Sequence, residues 1–205
     1  QLSNMEMHNG RWHRFFGRRL SETTIGIIGV GRIGLGVLRH LQGFGPIKIL
    51  LNDIAPNHDL VKKFNIEWVD KEKIYQQADI VTIHVPLTSK TKNMVKSTQL
   101  LNMKKDAIII NTARGGIINE HDLYNVLQAG HLSGAAIDVF DLEPYNGKLQ
   151  DIKRCVLTAH MGSMSFDCRA RMEIEATEEA VRFLTNQPLR SIVPEEEYAV
   201  QREGL

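Results

Sequence analysis

Cysteine is scarce in this chain. Its 205 residues include two, Cys155 and Cys168, at a separation that matches neither a zinc site nor a dithiol redox motif. A disulfide scaffold and a cysteine-built metal centre are excluded, no metal is expected, and a reduced, cytoplasmic setting is the expectation. Net charge is just as scarce: the formal value is +1, so no global field argues for nucleic acid or a membrane surface as partner. No apolar run approaches membrane-spanning length. The chain opens at Gln1 without an initiator Met or a signal-peptide pattern, so residues are expected upstream. What remains is an ordinary globular balance, 42% hydrophobic and 24% charged.

Short apolar runs alternate with amphipathic stretches. Runs at 25–28, 47–51, 80–85, 107–111, 135–139 and 155–158 read as strands, and those without alternation suit strands buried on both faces. Residues 31–41 read as a helix with Ile33, Val37, Leu38 and Leu41 facing inward, and 71–78 as another. Asn119 caps a third, which passes through Leu123, Val126 and Leu127 and stops at Gly130. The alternation predicts an α/β fold with a doubly wound parallel sheet of the Rossmann type. The ends differ from the middle. Residues 1–19 read as a linking helix rich in Arg, His and aromatics, 20–165 as the dinucleotide-binding domain, and 166–205 as a long amphipathic helix followed by a tail with Pro188, Pro194 and Glu195 to Glu197.

The chemistry starts at a glycine turn. Gly29, Gly31 and Gly34, with Arg32 and Ile33 between them, follow the first strand and open the first helix. In such a turn the first Gly allows a sharp reversal, the second lets the backbone approach a pyrophosphate, and the third lets helix pack on strand. The helix N-terminus adds free N–H groups and a partial positive charge. An acid, Asp53, closes the next strand about twenty residues further on, where it accepts the ribose hydroxyls of a dinucleotide. A 2′-phosphate brought to about 4 Å from that carboxylate costs about 4 kcal/mol per unit charge at an effective dielectric of 20, before screening. The cofactor expected is therefore NAD and not NADP. Lys62 and Lys63 are the nearest cations, and the sequence leaves open whether one reaches the site.

Five segments, 25–34, 84–88 (His-Val-Pro-Leu-Thr), 111–117 (Asn-Thr-Ala-Arg-Gly-Gly-Ile), 134–144 ending in Leu-Glu-Pro, and 157–162 (Leu-Thr-Ala-His-Met-Gly), resemble the D-isomer-specific 2-hydroxyacid dehydrogenases. Within that family they resemble the D-3-phosphoglycerate dehydrogenase-like group. The resemblance implies hydride transfer between NAD(H) and a small D-2-hydroxy acid or 2-oxo acid. It places Arg114 on the substrate carboxylate and carbonyl, a role that suits a planar, always-charged guanidinium. It makes His160 the acid/base, whose ordinary titration range suits proton transfer near neutrality, and Glu143 the carboxylate that orients it. It also places Asp138 on the nicotinamide carboxamide. Val85 and Pro86 lie beside the adenosine, Thr112 and Ala113 along the cofactor, and His160, Gly162 and Ser163 over the nicotinamide side.

Three departures stand out. Ala159 replaces the usual Pro before the His, Met161 replaces an aliphatic, and the stretch from Glu143 to His160 is short. None removes a reacting group. By the same resemblance, the chain is expected to be a fragment lacking the N-terminal part of a substrate domain, with turnover to match. A homodimer through the nucleotide domain is implied, with the segment around Trp12 to Phe16 packing on its mate or, equally, on the missing domain. Two other readings stay open: an NAD(H)-sensing corepressor-like scaffold that keeps the same Arg, Glu and His, and a formate dehydrogenase-like enzyme, a group that normally has Gln at the position of Glu143. The identity of the acid is not legible.

Overall fold

The computed structural model describes residues 1–192. Pro194 and Glu195 to Glu197 of the expected tail lie outside the described residues. Seven strands form one sheet in the order β3-β2-β1-β4-β5-β6-β7. They are β1 Thr24–Ile28, β2 Lys48–Asn52, β3 Ile66–Trp68, β4 Ile80–Ile83, β5 Ile108–Asn111, β6 Gly134–Ile137 and β7 Cys155–Leu157. Every pairing is parallel. The helices are α1 Leu2–His8, α2 Arg32–Leu41, α3 Lys71–Gln77, α4 Ser97–Asn102, α5 Glu120–Gln128 and α6 Phe166–Leu184.

The all-apolar strands are buried because both sheet faces are covered. Ile25, Ile27, Ile49 and Leu51 pack in one cluster with Leu38 of α2. Ile28, Leu50, Val81, Ile83 and Ile109 pack in a second with Ile74 of α3, Leu100 of α4 and Leu127 of α5. Alternate residues of one strand thus serve opposite layers. Helix starts follow local chemistry: the Asp70 side chain accepts from the Lys73 amide at 2.7 Å, and Asn119 from that of Asp122 at 3.0 Å. Gly26 lets α3 lie against β1, since a Cβ there would sit 2.3 Å from Ile74 Cγ2.

The sheet order reverses between β1 and β4, and parallel strands put all their carboxyl ends on one rim. That rim, at the switch point, is where ligands bind in folds of this kind. At the opposite end, Asp79 gathers the Thr24 amide at 2.8 Å, Lys104 Nζ at 3.1 Å and Arg18 Nη1 at 3.2 Å. Burial pushes its carboxyl up, but these three partners together outweigh burial and hold it below the usual range.

Several expectations need correcting. The N-terminal helix is Leu2–His8 only, and residues 11–19 carry no helix. Gly10 breaks it with φ +72°, and Arg11 folds back onto Glu6. Ile33 faces outward, 66% exposed, because α2 begins at Arg32 and buries Gly34 and Leu38, four residues apart. β4 stops at Ile83, short of the expected Val85, since Pro86 has no N–H for the ladder. No residue of α6 is buried. Its apolar side chains, Met172, Ile174, Val181 and Leu184 among them, stay at least half exposed.

Candidate active site

The predicted site residues gather at the carboxyl rim: the glycine turn after β1 with Arg32, Ile33 and Gly34 in the first turn of α2, Asp53 after β2, Val85 and Pro86 after β4, Thr112 to Arg114 after β5, Asp138 and Glu143 after β6, and His160 to Ser163 after β7.

The glycine turn is tightly set. Gly29 has φ +91°, and a Cβ there would lie 2.5 Å from the His84 carbonyl oxygen, so only glycine fits without strain. A Cβ on Gly34 would lie 2.0 Å from the Gly29 oxygen, whereas one on Gly31 meets nothing within 4 Å. The space above Gly31 is therefore open while its neighbours are packed. α2 starts there with no side-chain cap hydrogen bond from Gly31, and a helix N-terminus set at such an opening suits an anionic ligand. These features fit a dinucleotide pyrophosphate. Asp53 accepts from the Val30 amide at 2.6 Å through Oδ2 and from Ala55 at 2.9 Å through Oδ1. The acid thus holds the turn as well as standing where a ribose would arrive.

The β5 loop is organised by a residue that sequence reasoning passed over. Asn111, 2% exposed, accepts from the Ala113 amide at 3.0 Å and donates to the Arg114 carbonyl at 2.9 Å. A polar residue ending an all-apolar strand was the available signal, as it was for Asp138. The Arg114 guanidinium is exposed and donates to the Ala113 carbonyl at 2.6 Å. It has no carboxylate partner among the described residues, so its charge is available to an anion.

Asp138, 8% exposed, sits under the β7 loop. Its Oδ1 accepts from Thr158 Oγ1 and from the Met161 amide at 3.0 Å, and its carbonyl accepts from the His160 amide at 2.8 Å. These bonds bracket His160, whose φ of +52° lies in the left-handed region that histidine tolerates better than most. The loop is thus fixed without the usual Pro at position 159. Thr158 is a second residue that sequence reasoning did not single out.

His160 Nδ1 lies 2.9 Å from Glu143 Oε2, and the Phe140 amide donates to Oε1 at 3.0 Å. The His160 hydrogen bond, then that amide, hold the Glu143 carboxyl below its ordinary range. Glu143 therefore stays ionised and fixes the ring, leaving Nε2 to face a reactant. A cavity of about 600 Å³ adjoins this pair, walled by Phe140, Pro144, Tyr145, Leu157 and Ala159. Arg114 and the glycine turn are not in its lining, so the described residues do not enclose the two halves of the site in one pocket. Gly162 has no neighbour where a Cβ would be, and Ser163 is half-buried.

The family model described as "D-isomer specific 2-hydroxyacid dehydrogenase, NAD binding domain" matches residues 1–162. A glyoxylate reductase of Korarchaeum cryptofilum is 36% identical over 198 residues, 95% of this chain and 59% of the reductase. The D-3-phosphoglycerate dehydrogenase of Bacillus subtilis is 32% identical over 194 residues, 93% of this chain and 37% of the enzyme. Among solved structures, the TT0316 protein of Thermus thermophilus superposes with a TM-score of 0.85 at 30% identity, covering 94% of this chain and 62% of that one. An NAD-dependent formate dehydrogenase of Staphylococcus aureus, solved with NAD, gives 0.83 at 29% identity, covering 94% and 60%. The chain thus spans less than two thirds of the length of these relatives. No helix among the described residues is long and apolar enough to cross a membrane.

Proposed function

The chain belongs to the D-isomer-specific 2-hydroxyacid dehydrogenase family, whose NAD-binding domain it matches, and from that premise we propose that its carboxyl rim binds NAD(H) and transfers a hydride between it and a D-2-hydroxy acid or the corresponding 2-oxo acid. The observation that carries the proposal is the braced Glu143–His160 pair at 2.9 Å, on the same rim as a glycine turn open only above Gly31. Bound NAD(H) supplies or accepts the hydride. The α2 amides hold its pyrophosphate, and Asp53 holds the ribose and disfavours a 2′-phosphate. Asp138, with Oδ1 already committed to Thr158 and Met161, offers its other oxygen to the carboxamide. Arg114 leaves the Ala113 carbonyl to clamp the substrate carboxylate and polarise its carbonyl. His160 Nε2 protonates the carbonyl oxygen during reduction and removes that proton during oxidation, while Glu143 stabilises the imidazolium formed in between.

The domain division at 19/20 and 165/166, and the reading of the chain as part of a larger enzyme of phosphoglycerate dehydrogenase-like type, belong to the same proposal. Their support is the coverage of 59% of the Korarchaeum reductase and the uncovered side chains at both ends, with Trp12 77%, Phe16 105% and Phe166 100% exposed. A homodimer through the segment around Trp12 to Phe16 is the further part. A dimeric mass at micromolar concentration is the expected result, and a monomer refutes that part alone. The activity itself is tested by following NADH oxidation with a panel of 2-oxo acids for the wild-type chain and for His160→Gln. Slow turnover that vanishes in the variant is expected. NADH-dependent capture of a protein partner with no turnover on any 2-oxo acid would replace the proposal with a sensing scaffold, and formate-dependent NADH production would replace it with a formate dehydrogenase.

A further inference from the structure

We infer that Glu120 is a positioning residue for the Glu143–His160 pair, acting through the backbone of Phe140 and Asp141. The inference rests on the reading of that pair as the acid/base.

Glu120 opens α5, where a carboxylate commonly faces water and complements the helix dipole. Here its Oε1 instead accepts from the Asp141 amide at 2.7 Å, 21 residues away in sequence. The preceding amide, Phe140, is held by Glu143 Oε1 at 3.0 Å. Two successive N–H groups of one loop are thus captured by two carboxylates, one from a rigid helix and one from the site itself. A third tie comes from the β5 loop. A Cβ on Gly115 would lie 1.9 Å from the Phe140 carbonyl oxygen, so the residue after Arg114 touches the Phe140–Asp141 peptide, next to the Phe140 N–H that braces Glu143. Helix α5, the Arg114 loop and the Glu143 loop therefore meet at the Phe140–Asp141 peptide.

The position of Glu143 relative to His160 depends on Phe140, whose N–H lies in the peptide just before that one and donates to Glu143 Oε1 at 3.0 Å while Oε2 reaches the ring at 2.9 Å. Without the Glu120 tie, the Asp141 amide has no other partner among the described residues and turns to water. The Phe140 amide then loses its fixed direction, and Glu143 with it. Burial and the neighbouring Asp141 charge, offset in part by the Asp141 amide, raise the proton affinity of Glu120. A surface carboxylate with no structural task would avoid that cost.

The test uses heteronuclear NMR of the imidazole ring nitrogens in the wild-type chain, Glu120→Ala, Glu120→Gln and Glu120→Asp, with NADH affinity measured alongside. The wild type is expected to show His160 as one fixed tautomer with Nδ1 protonated. Glu120→Ala and the shorter Glu120→Asp are expected to lose that signature and show exchanging tautomers. Glu120→Gln, whose amide oxygen still accepts from Asp141, is expected to keep it. NADH affinity should change less than twofold in all three, since the glycine turn is untouched. A fixed tautomer in a folded Glu120→Ala or Glu120→Asp variant overturns the inference, and Glu120→Asp decides if Glu120→Ala does not fold. Absence of NADH binding in every form, with the tautomer pattern as expected, would sink the cofactor reading and leave the positioning role standing.

Discussion

The two halves of the rim are built by different means. Around β1 and β2 the site is backbone: a glycine turn whose two outer glycines leave no room for a Cβ, which would lie 2.5 and 2.0 Å from carbonyl oxygens, with one carboxylate holding the turn from behind. Around β5, β6 and β7 it is side chains, each oriented by another: Asn111 for the Arg114 loop, Asp138 and Thr158 for the His160 loop, and Phe140 N–H for Glu143. A backbone site is complete as folded, and its failure mode is steric. A side-chain site can be loosened one link at a time, and its failure mode is loss of alignment. The first half should therefore govern whether the cofactor binds, and the second how fast a bound reactant turns over.

Gly31→Ala separates the two at the cofactor. The added methyl meets no protein atom within 4 Å and the backbone φ there is an ordinary −72°, so thermal stability should hold while NADH affinity falls by about 100-fold, the methyl occupying the place of a phosphate. Gly34→Ala, whose Cβ would sit 2.0 Å from the Gly29 oxygen, should instead cost both stability and binding, read by thermal melting and titration together. Equal effects of the two substitutions would erase the distinction between open and packed glycines.

Glu143→Gln works on the other half. It keeps the shape but loses the charge that stabilises the imidazolium, and kcat should drop by about 10²- to 10⁴-fold, the range expected for general acid–base catalysis. NADH affinity should stay within twofold, as calorimetry would show. A matching loss of binding would mean that the halves are not separable.

Asp53→Ala sharpens the comparison within the first half, because the acid supports Val30 and is the residue proposed to hold the ribose. NADH affinity should fall by about tenfold, the cost of about one charge-assisted hydrogen bond. NADPH should gain relative to NADH. If both cofactors weaken equally, the acid acts only on the turn.

Away from the rim the expected effect falls on stability alone. Asp79 is held below its ordinary value of 3.8, so the folded state binds a proton less readily than the unfolded state. Its contribution is present above the unfolded value and is lost as pH falls through the folded one. Asp79→Asn should cost about 2 kcal/mol at neutral pH, as for a hydrogen bond to a charged group. The difference should fade in urea melts as pH drops below about 4, and NADH binding should not change.

Much of this was legible in the residues. Apolar runs without alternation marked strands covered on both faces, and the positions of Gly29, Gly31, Gly34 and Asp53 follow from what a pyrophosphate and a ribose need. β3 was not legible: Ile66–Trp68 is a three-residue edge strand whose Glu67 breaks the apolar run. Residues 11–19 read as part of one helix rich in Arg, His and aromatics, but Gly10 ends α1 before them. Ile33 read as inward from periodicity, yet the start of α2 turns it to the rim. Glu120 and Thr158 escaped notice because the Asp141 amide and the Asp138 carboxylate they hold lie about twenty residues away in sequence and are brought near only by the fold, whereas Asn111 acts locally and was passed over at the end of its strand.

The most direct test is a calorimetric titration of wild-type chain and Gly31→Ala with NADH and with NADPH. The account predicts that NADH binds the wild type well ahead of NADPH, and that Gly31→Ala melts like the wild type but binds NADH about 100-fold more weakly. Equal binding of the two cofactors, or undiminished NADH binding by Gly31→Ala, would contradict the placement of NAD(H) on the glycine turn beside Asp53.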